Sequence, residues 1–240
     1  MSGILSLDRP AEVPDGSAER FHQDGHICLR GLADPTEVAA VRPVIERLVD
    51  VHTKESKPVG KRDTYGAAFL QVGDLWRHDE AVRAFVHAPR FASAAAALLG
   101  VNGVRLYHDQ ALFKEPQGGH TPWHQDQYYW PLDTTNTVTM WMPLSDVREE
   151  VGSMVFVTGS HLLGDVGSGH ISDRSQDEID RLIQKRRLVT DTHGALRVGD
   201  ATFHTGWTLH SAAPNPTRIM RPVMTVIYVC LLYTSDAADE

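Results

Sequence analysis

Two cysteines in 240 residues, Cys28 and Cys230, are too few for a disulfide framework or a cysteine-rich zinc site. No apolar run approaches the length that crosses a bilayer, so no membrane partner is expected. The opening MSGILSLDRPAEVPDG has neither the basic start nor the apolar stretch of a secretory signal, and a cytoplasmic location is expected. Basic charge is scarce too. The formal net charge is −8, and Lys185-Arg186-Arg187 is the one short basic cluster. A chain that binds a phosphate backbone carries a basic patch or stripe, so no nucleic acid is expected, and a small-molecule substrate fits better. Internal repeats and low-complexity segments are also lacking.

What is present reads as an ordinary globular chain, 42% hydrophobic and 22% charged. Ser17–Asp24 before Gly25 predicts a short helix, and His26–Arg30 a short strand. Asp34 and Pro35 suit the N-cap and first position of a helix running to about Val51, with Val38, Val41, Ile45 and Leu48 at helical spacing. Ala81–Val86 and Ala92–Leu99 read as helices separated by Pro89. Beyond Gly103 the pattern turns to strands: Val104–Phe113, Thr137–Leu144, Met154–Val157, Ala195–Val198, Ala201–His204 and Val223–Val229. Gln176–Lys185 is a helical insert among them, inside a polar segment, Gly164 to Thr192, long enough to serve as a lid. Helices followed by short strands imply an α+β fold, here a jelly-roll barrel with N-terminal flanking helices.

The last eleven residues, CLLYTSDAADE, look like the translation of a transposase adapter used in sequencing libraries. The expected organisation is one domain over 1–229, cut short at its C-terminus, and a non-native tail over 230–240 that has no function.

The chemistry concentrates in His124-Gln125-Asp126, followed 84 residues after Asp126 by His210 and eleven later by Arg221. In a strand His124 and Asp126 share a side, so one ion can take both while Gln125 faces away. Two imidazoles and a carboxylate leave positions open on a metal and suit non-haem iron(II). An arginine beyond the last ligand offers a planar fork for the far carboxylate of a 2-oxo acid. With thirteen histidines present, His-x-Asp alone is weak; the aromatic run Thr121 to Pro131 around it raises its weight. His204 and Arg218 are the rivals of His210 and Arg221. Gln110 and Lys114 share one side of the strand entering the site, and Gln110 is a candidate co-substrate contact. Trp123, Tyr128, Tyr129 and Trp130 are candidates for the substrate wall.

These segments together resemble the phytanoyl-CoA dioxygenase family of iron- and 2-oxoglutarate-dependent oxygenases. The resemblance spans roughly residues 17–229 and is densest at 104–161 and 196–229. It rests on Trp123-His124-Gln125-Asp126, Gly159-Ser160-His161, Gly199-Asp200, the run His210-Ser211-Ala212-Ala213-Pro214-Asn215 and Arg221. It implies His124, Asp126 and His210 as catalytic iron ligands, Arg221 for the distal carboxylate of 2-oxoglutarate, and Trp141 as a wall of the co-substrate pocket. It also implies Fe(II) as metal, with 2-oxoglutarate and O2 as co-substrates. Because Asp126 is retained, hydroxylation with release of succinate and CO2 is the expected outcome. The chain departs from the family at Ala212, where some members have a serine that helps hold 2-oxoglutarate; Ser211 and Thr225 are alternative hydroxyls. A zinc hydrolase with the same ligand set, or a non-catalytic barrel-fold binding protein, would be the alternatives. The hydrolase would also need a nearby general base, and no His-Glu-x-x-His occurs.

Overall fold

A computed structural model describes residues 7–167 and 169–231 of the protein. Its N-terminal part is helical: α1 (Ser17–Asp24), α2 (Pro35–Thr53), α3 (Thr64–Ala68), α4 (Glu80–Val86) and α5 (Pro89–Leu99). α2 starts where its capping chemistry dictates. Asp34 accepts from the Thr36 amide at 2.8 Å, and Glu37 takes the Asp34 amide at 2.8 Å. One stripe of α2 (Val38, Val41, Ile45, Val49) is buried. Pro89 does not merely separate two helices; it is the first residue of α5, where its missing N–H costs nothing.

Among the described residues ten strands form two antiparallel sheets. The larger has the order β1 (His26–Leu29), β8 (Ala201–Thr205), β5 (Thr137–Pro143), β10 (Val223–Cys230), β3 (Val104–Phe113), β2 (Leu70–Gly73). The smaller runs β4 (Thr121–His124), β9 (His210–Ala212), β6 (Met154–Val157), β7 (Thr190–Thr192). This is the jelly-roll arrangement, but among the described residues no strand pairing closes the two sheets into the expected barrel. Alternation sorts the larger sheet into two faces. Ala111, Met224 and Met142 lie side by side and enter the core with Phe203, Val226, Phe21, Phe91 and the α2 stripe. Each such buried side chain larger than alanine contributes about 1.5–3 kcal/mol. The opposite face carries the rows Gln110–Thr225–Trp141–Thr202 and His108–Ile227–Thr139–His204–His26. The site is built on that face.

α6 (Asp173–Arg186) is the expected insert helix, capped by Ser172 and three residues longer at its start. It packs outside β4, where Ile179 joins Trp123, Val157 and Leu209. Ala195–Val198 is not a strand; Leu196 makes only an isolated bridge to Val147. Cys230, the first residue of the expected tail, closes β10 opposite Val104. Residues 232–240 of that tail lie outside the described residues, in which no helix is long and apolar enough to cross a membrane.

Candidate metal centre and co-substrate pocket

His124 and His210 are direct cross-strand partners of β4 and β9, with ring centroids 4.1 Å apart. Asp126 is not in the strand. β4 ends at His124, Gln125 stays extended (φ −123°, ψ 124°), and Asp126 opens a short 3-10 turn, Asp126–Tyr129. One extended residue between them is enough to keep the carboxylate on the histidines' side. Asp126 Oδ1 lies 3.7 Å from His124 Nε2 and 3.7 Å from His210 Nε2. The three ligand atoms lie within 4.8 Å of one another, a spacing suited to one ion.

The atoms turned away from that point are held by the protein. His124 Nδ1 donates to the Pro122 carbonyl at 2.8 Å and His210 Nδ1 to that of Thr208 at 2.9 Å. That fixes the tautomer with the proton on Nδ1 and leaves each Nε2 lone pair facing inwards. Burial, reinforced by neighbouring histidines, lowers both imidazoles to about 4, so they are neutral at pH 7. Asp126 Oδ2 accepts from Thr139 Oγ1 at 2.9 Å and His204 Nε2 at 3.1 Å. Burial pushes the carboxyl up, but His210, His204 and His124 outweigh it, and Asp126 stays ionised well below the usual range. The triad thus spans both sheets: the smaller supplies the histidines, and the larger holds the carboxylate through Thr139 and His204. His204 touches the ligand set through Asp126 instead of joining it.

Arg221, just before β10, is 2% exposed. Its guanidinium sits 5.2 Å from the Trp141 ring centroid and donates to the Gly152 carbonyl, while Nε has no partner. Its backbone pairs with that of Lys114, which is fully buried. Burial, then Arg221, lowers the Lys114 ammonium to about 6. Among the described residues neither side chain has a carboxylate partner. A buried guanidinium with an orphan N–H calls for an anion.

Triad and Arg221 open on one cavity of about 750 Å³, lined also by Trp141, Gln110, Thr121 and Thr225. Gln110 does face it, but its carbonyl oxygen is taken by the Gln71 amide, which sequence reasoning did not anticipate. Tyr129 and Trp130 line the cavity, whereas Tyr128 is partly exposed outside it. Trp123 is elsewhere: its indole donates to Asp180 of α6 at 2.8 Å. The insert reaches the cavity through His170 and Ile171, and the Ile171 amide donates to the Tyr129 hydroxyl at 2.8 Å. Gln125 faces away from the metal point but is not idle. Its amide donates to the carbonyls of Gly164 and Trp207, both at 2.8 Å, and its oxygen accepts from Val166 at 3.1 Å. No periodicity marks such a residue; its burial beside two loops is visible only in three dimensions.

Two facing sheets with a two-histidine, one-carboxylate set and a buried arginine in the cavity between them define the iron- and 2-oxoglutarate-dependent oxygenases. The family model for phytanoyl-CoA dioxygenase (PhyH) matches residues 21–223, and the chain belongs to that family. A probable alpha-ketoglutarate-dependent hypophosphite dioxygenase of Stutzerimonas stutzeri is 27% identical over 158 residues, 62% of this chain and 53% of that protein. This chain therefore matches about half the length of that relative. The non-heme alpha-ketoglutarate-dependent carbocyclase SnoK from nogalamycin biosynthesis superposes with a TM-score of 0.77 at 25% identity, covering 92% of this chain and 87% of SnoK. The epimerase SnoN, solved with Fe3+, alpha-ketoglutarate and nogalamycin RO, gives 0.73 at 29% identity, covering 94% and 84%.

Proposed function

We propose that this chain hydroxylates a C–H bond of an organic small molecule, converting 2-oxoglutarate to succinate and CO2. His124, Asp126 and His210 would hold Fe(II), and Arg221 the far carboxylate of 2-oxoglutarate, with Trp141 as the wall beside it. Iron loaded with 2-oxoglutarate and dioxygen supplies an oxidant able to attack an unactivated C–H bond. The protein's share is to bind, orient and keep water out. Burial keeps the two imidazoles unprotonated and ready to ligate. Thr139 and His204 keep Asp126 Oδ2 occupied, so that Oδ1 is the oxygen offered to the metal.

One observation carries the reading: the ligand atoms and the otherwise unneutralised Arg221 open on the same cavity. The hydrolytic alternative leaves Arg221 without a task. The cavity is large for a small phosphorus oxyanion such as hypophosphite. Its walls include the aromatic rings of Tyr65, Phe69, Tyr107 and Trp130 and the carboxylates of Asp63 and Asp74, and Arg221 is the one arginine or lysine among the described residues that line it. A ring-bearing or otherwise carbon-rich substrate fits those walls.

The test is visible absorption of the protein with Fe(II) and 2-oxoglutarate under anaerobic conditions, beside Asp126→Ala and Arg221→Ala. A weak charge-transfer band in the parent, lost or weakened in the variants, is expected. A folded, iron-loaded parent without the band would overturn the reading. The likeness to SnoK and SnoN supports a second outcome of the same chemistry, ring closure or epimerisation. Product mass separates them: hydroxylation adds one oxygen, ring closure removes two hydrogens, and epimerisation leaves the mass unchanged.

A further inference from the structure

We infer that a β-bulge at Tyr107 builds a substrate seat beside the metal point, and that His108 accepts a hydrogen bond there from a hydroxyl of an uncharged, ring-bearing substrate. The inference rests on the proposed oxygenase reading.

β10 and β3 pair Val226 with Asp109 and Ile227 with His108, but the next pair is Tyr228 with Leu106, which leaves Tyr107 as one extra residue. Strict alternation would turn Tyr107 away from His108, towards the core. The bulge cancels that alternation: Tyr107 and His108 both line the cavity, while Leu106 packs against the core. Bulges next to active sites re-aim side chains in this way. The Trp130 ring closes the group, edge-on to Tyr107 at 5.8 Å and to His108 at 6.2 Å between centroids. Trp130 directly follows the turn that Asp126 opens, so the ring group is tied to a metal ligand along the chain.

The sheet fixes where this group stands. His108, Ile227 and Thr139 lie in one row across β3, β10 and β5, and Thr139 holds Asp126. With neighbouring strands about 4.8 Å apart, His108 stands roughly 10 Å from Thr139. Ile227 lines the cavity between them. A ring lying over Ile227 then has one edge towards the metal point and the other towards His108.

The imidazole's chemistry selects the substrate group. No hydrogen bond joins a ring nitrogen of His108 to another side chain among the described residues. Burial lowers this imidazole and outweighs the Asp109 backbone, Asp126 and Asp74, so it is neutral at pH 7. The Asp109 backbone favours the ring's N–H, which leaves the lone pair of the other nitrogen to accept. A phenylalanine would serve packing alone, and a half-buried lone pair without a donor is a cost. A hydroxyl meets it. An ammonium group would have to shed its water among the rings of Tyr107 and Trp130. An anionic group would meet the fields of Asp126 and Asp74, with Arg221 already committed to 2-oxoglutarate.

The experiment is anaerobic calorimetric titration of the protein loaded with Fe(II) and 2-oxoglutarate. The probes are 2-naphthylmethanol and its methyl ether, which keeps the ring and the oxygen but cannot donate. The parent is expected to bind the alcohol about five- to tenfold more tightly than the ether, the worth of one hydrogen bond. His108→Phe, which keeps a ring beside Tyr107 and Trp130, should abolish that ratio without changing the Kd of the ether. His108→Gln should keep a preference for the alcohol, because its amide oxygen can accept. Equal binding of the two probes by the parent, no binding of either, or a ratio that survives in His108→Phe overturns the assignment. The visible band with Fe(II) and 2-oxoglutarate is the separate arm. Without it in the parent both readings fall; with it, and no preference for the alcohol, only the role of His108 falls.

Discussion

His204 Nε2 lies 3.1 Å from Asp126 Oδ2, so a histidine that ligates nothing holds the carboxylate that faces the metal point. Thr139 Oγ1 shares the task at 2.9 Å. The other ring nitrogen of His204, Nδ1, is buried without a partner among the described residues. His204→Phe should therefore fold but lower metal affinity about 10- to 100-fold, the usual cost of losing a partner behind a ligand. Anaerobic Co(II) titration reads it. An unchanged affinity would mean that Thr139 alone suffices.

Gln125 ties the chain between the two ligands to the loops at Gly164–Val166 and Trp207. Gln125→Leu leaves two half-buried carbonyls and a half-buried amide without their partner, a loss of about 1–3 kcal/mol in denaturant unfolding. Amide exchange at Val166 should accelerate more than in the β10 ladder, because that bond anchors the insert locally.

Asp109, on the core-facing side of β3, is fully buried. Burial, opposed by the Trp76 amide and helped by Asp74, raises its carboxyl from 3.8 to about 7. The folded protein then holds a proton that the unfolded chain has released between these two values. Stability falls as pH rises through that window, by about 2–4 kcal/mol, and is flat above it as far as this group is concerned. Asp109→Asn should remove that slope and be more stable than the parent at pH 8. Urea unfolding of both across the window checks the sign.

Gly199 has φ 93°, and a Cβ there would come 2.0 Å from the Ala33 carbonyl oxygen, which accepts no compromise because it is backbone. Gly31 also has positive φ (63°) but open space around it. Gly199→Ala should cost more than about 3 kcal/mol, read as a fall in Tm of roughly 6–12 °C. Gly31→Ala should cost only about 1–2 kcal/mol, the left-handed penalty alone.

Much of the fold was legible in local patterns. α1 and β3 have the expected bounds because glycine stops and β-rich runs are local signals. The extra residues at the start of α5 were missed because a proline at the first turn looks like a break. β7 (Thr-Asp-Thr, all exposed) and β9 (His-Ser-Ala) carry too little apolar alternation to be seen, and a partner strand alone makes them strands. Trp123 read as a pocket wall since aromatics near a ligand motif suggest one; Asp180 of the insert helix draws it to the other side of β4 instead.

By itself the sequence determined the helical start and stranded remainder, the His-x-Asp spacing that keeps two ligands on one side, and an arginine at the right distance beyond the third. These depend on residues a few positions apart, where backbone geometry acts directly. Tertiary structure alone decided that His204 backs Asp126, that Asp126 leaves the strand, that Gln110 is engaged by Gln71, and that Lys114 is buried beside Arg221. Those relationships depend on which residues face each other across β4–β9, β5–β8 and the Lys114–Arg221 bridge. A register slip of one residue would turn each such side chain to the opposite face.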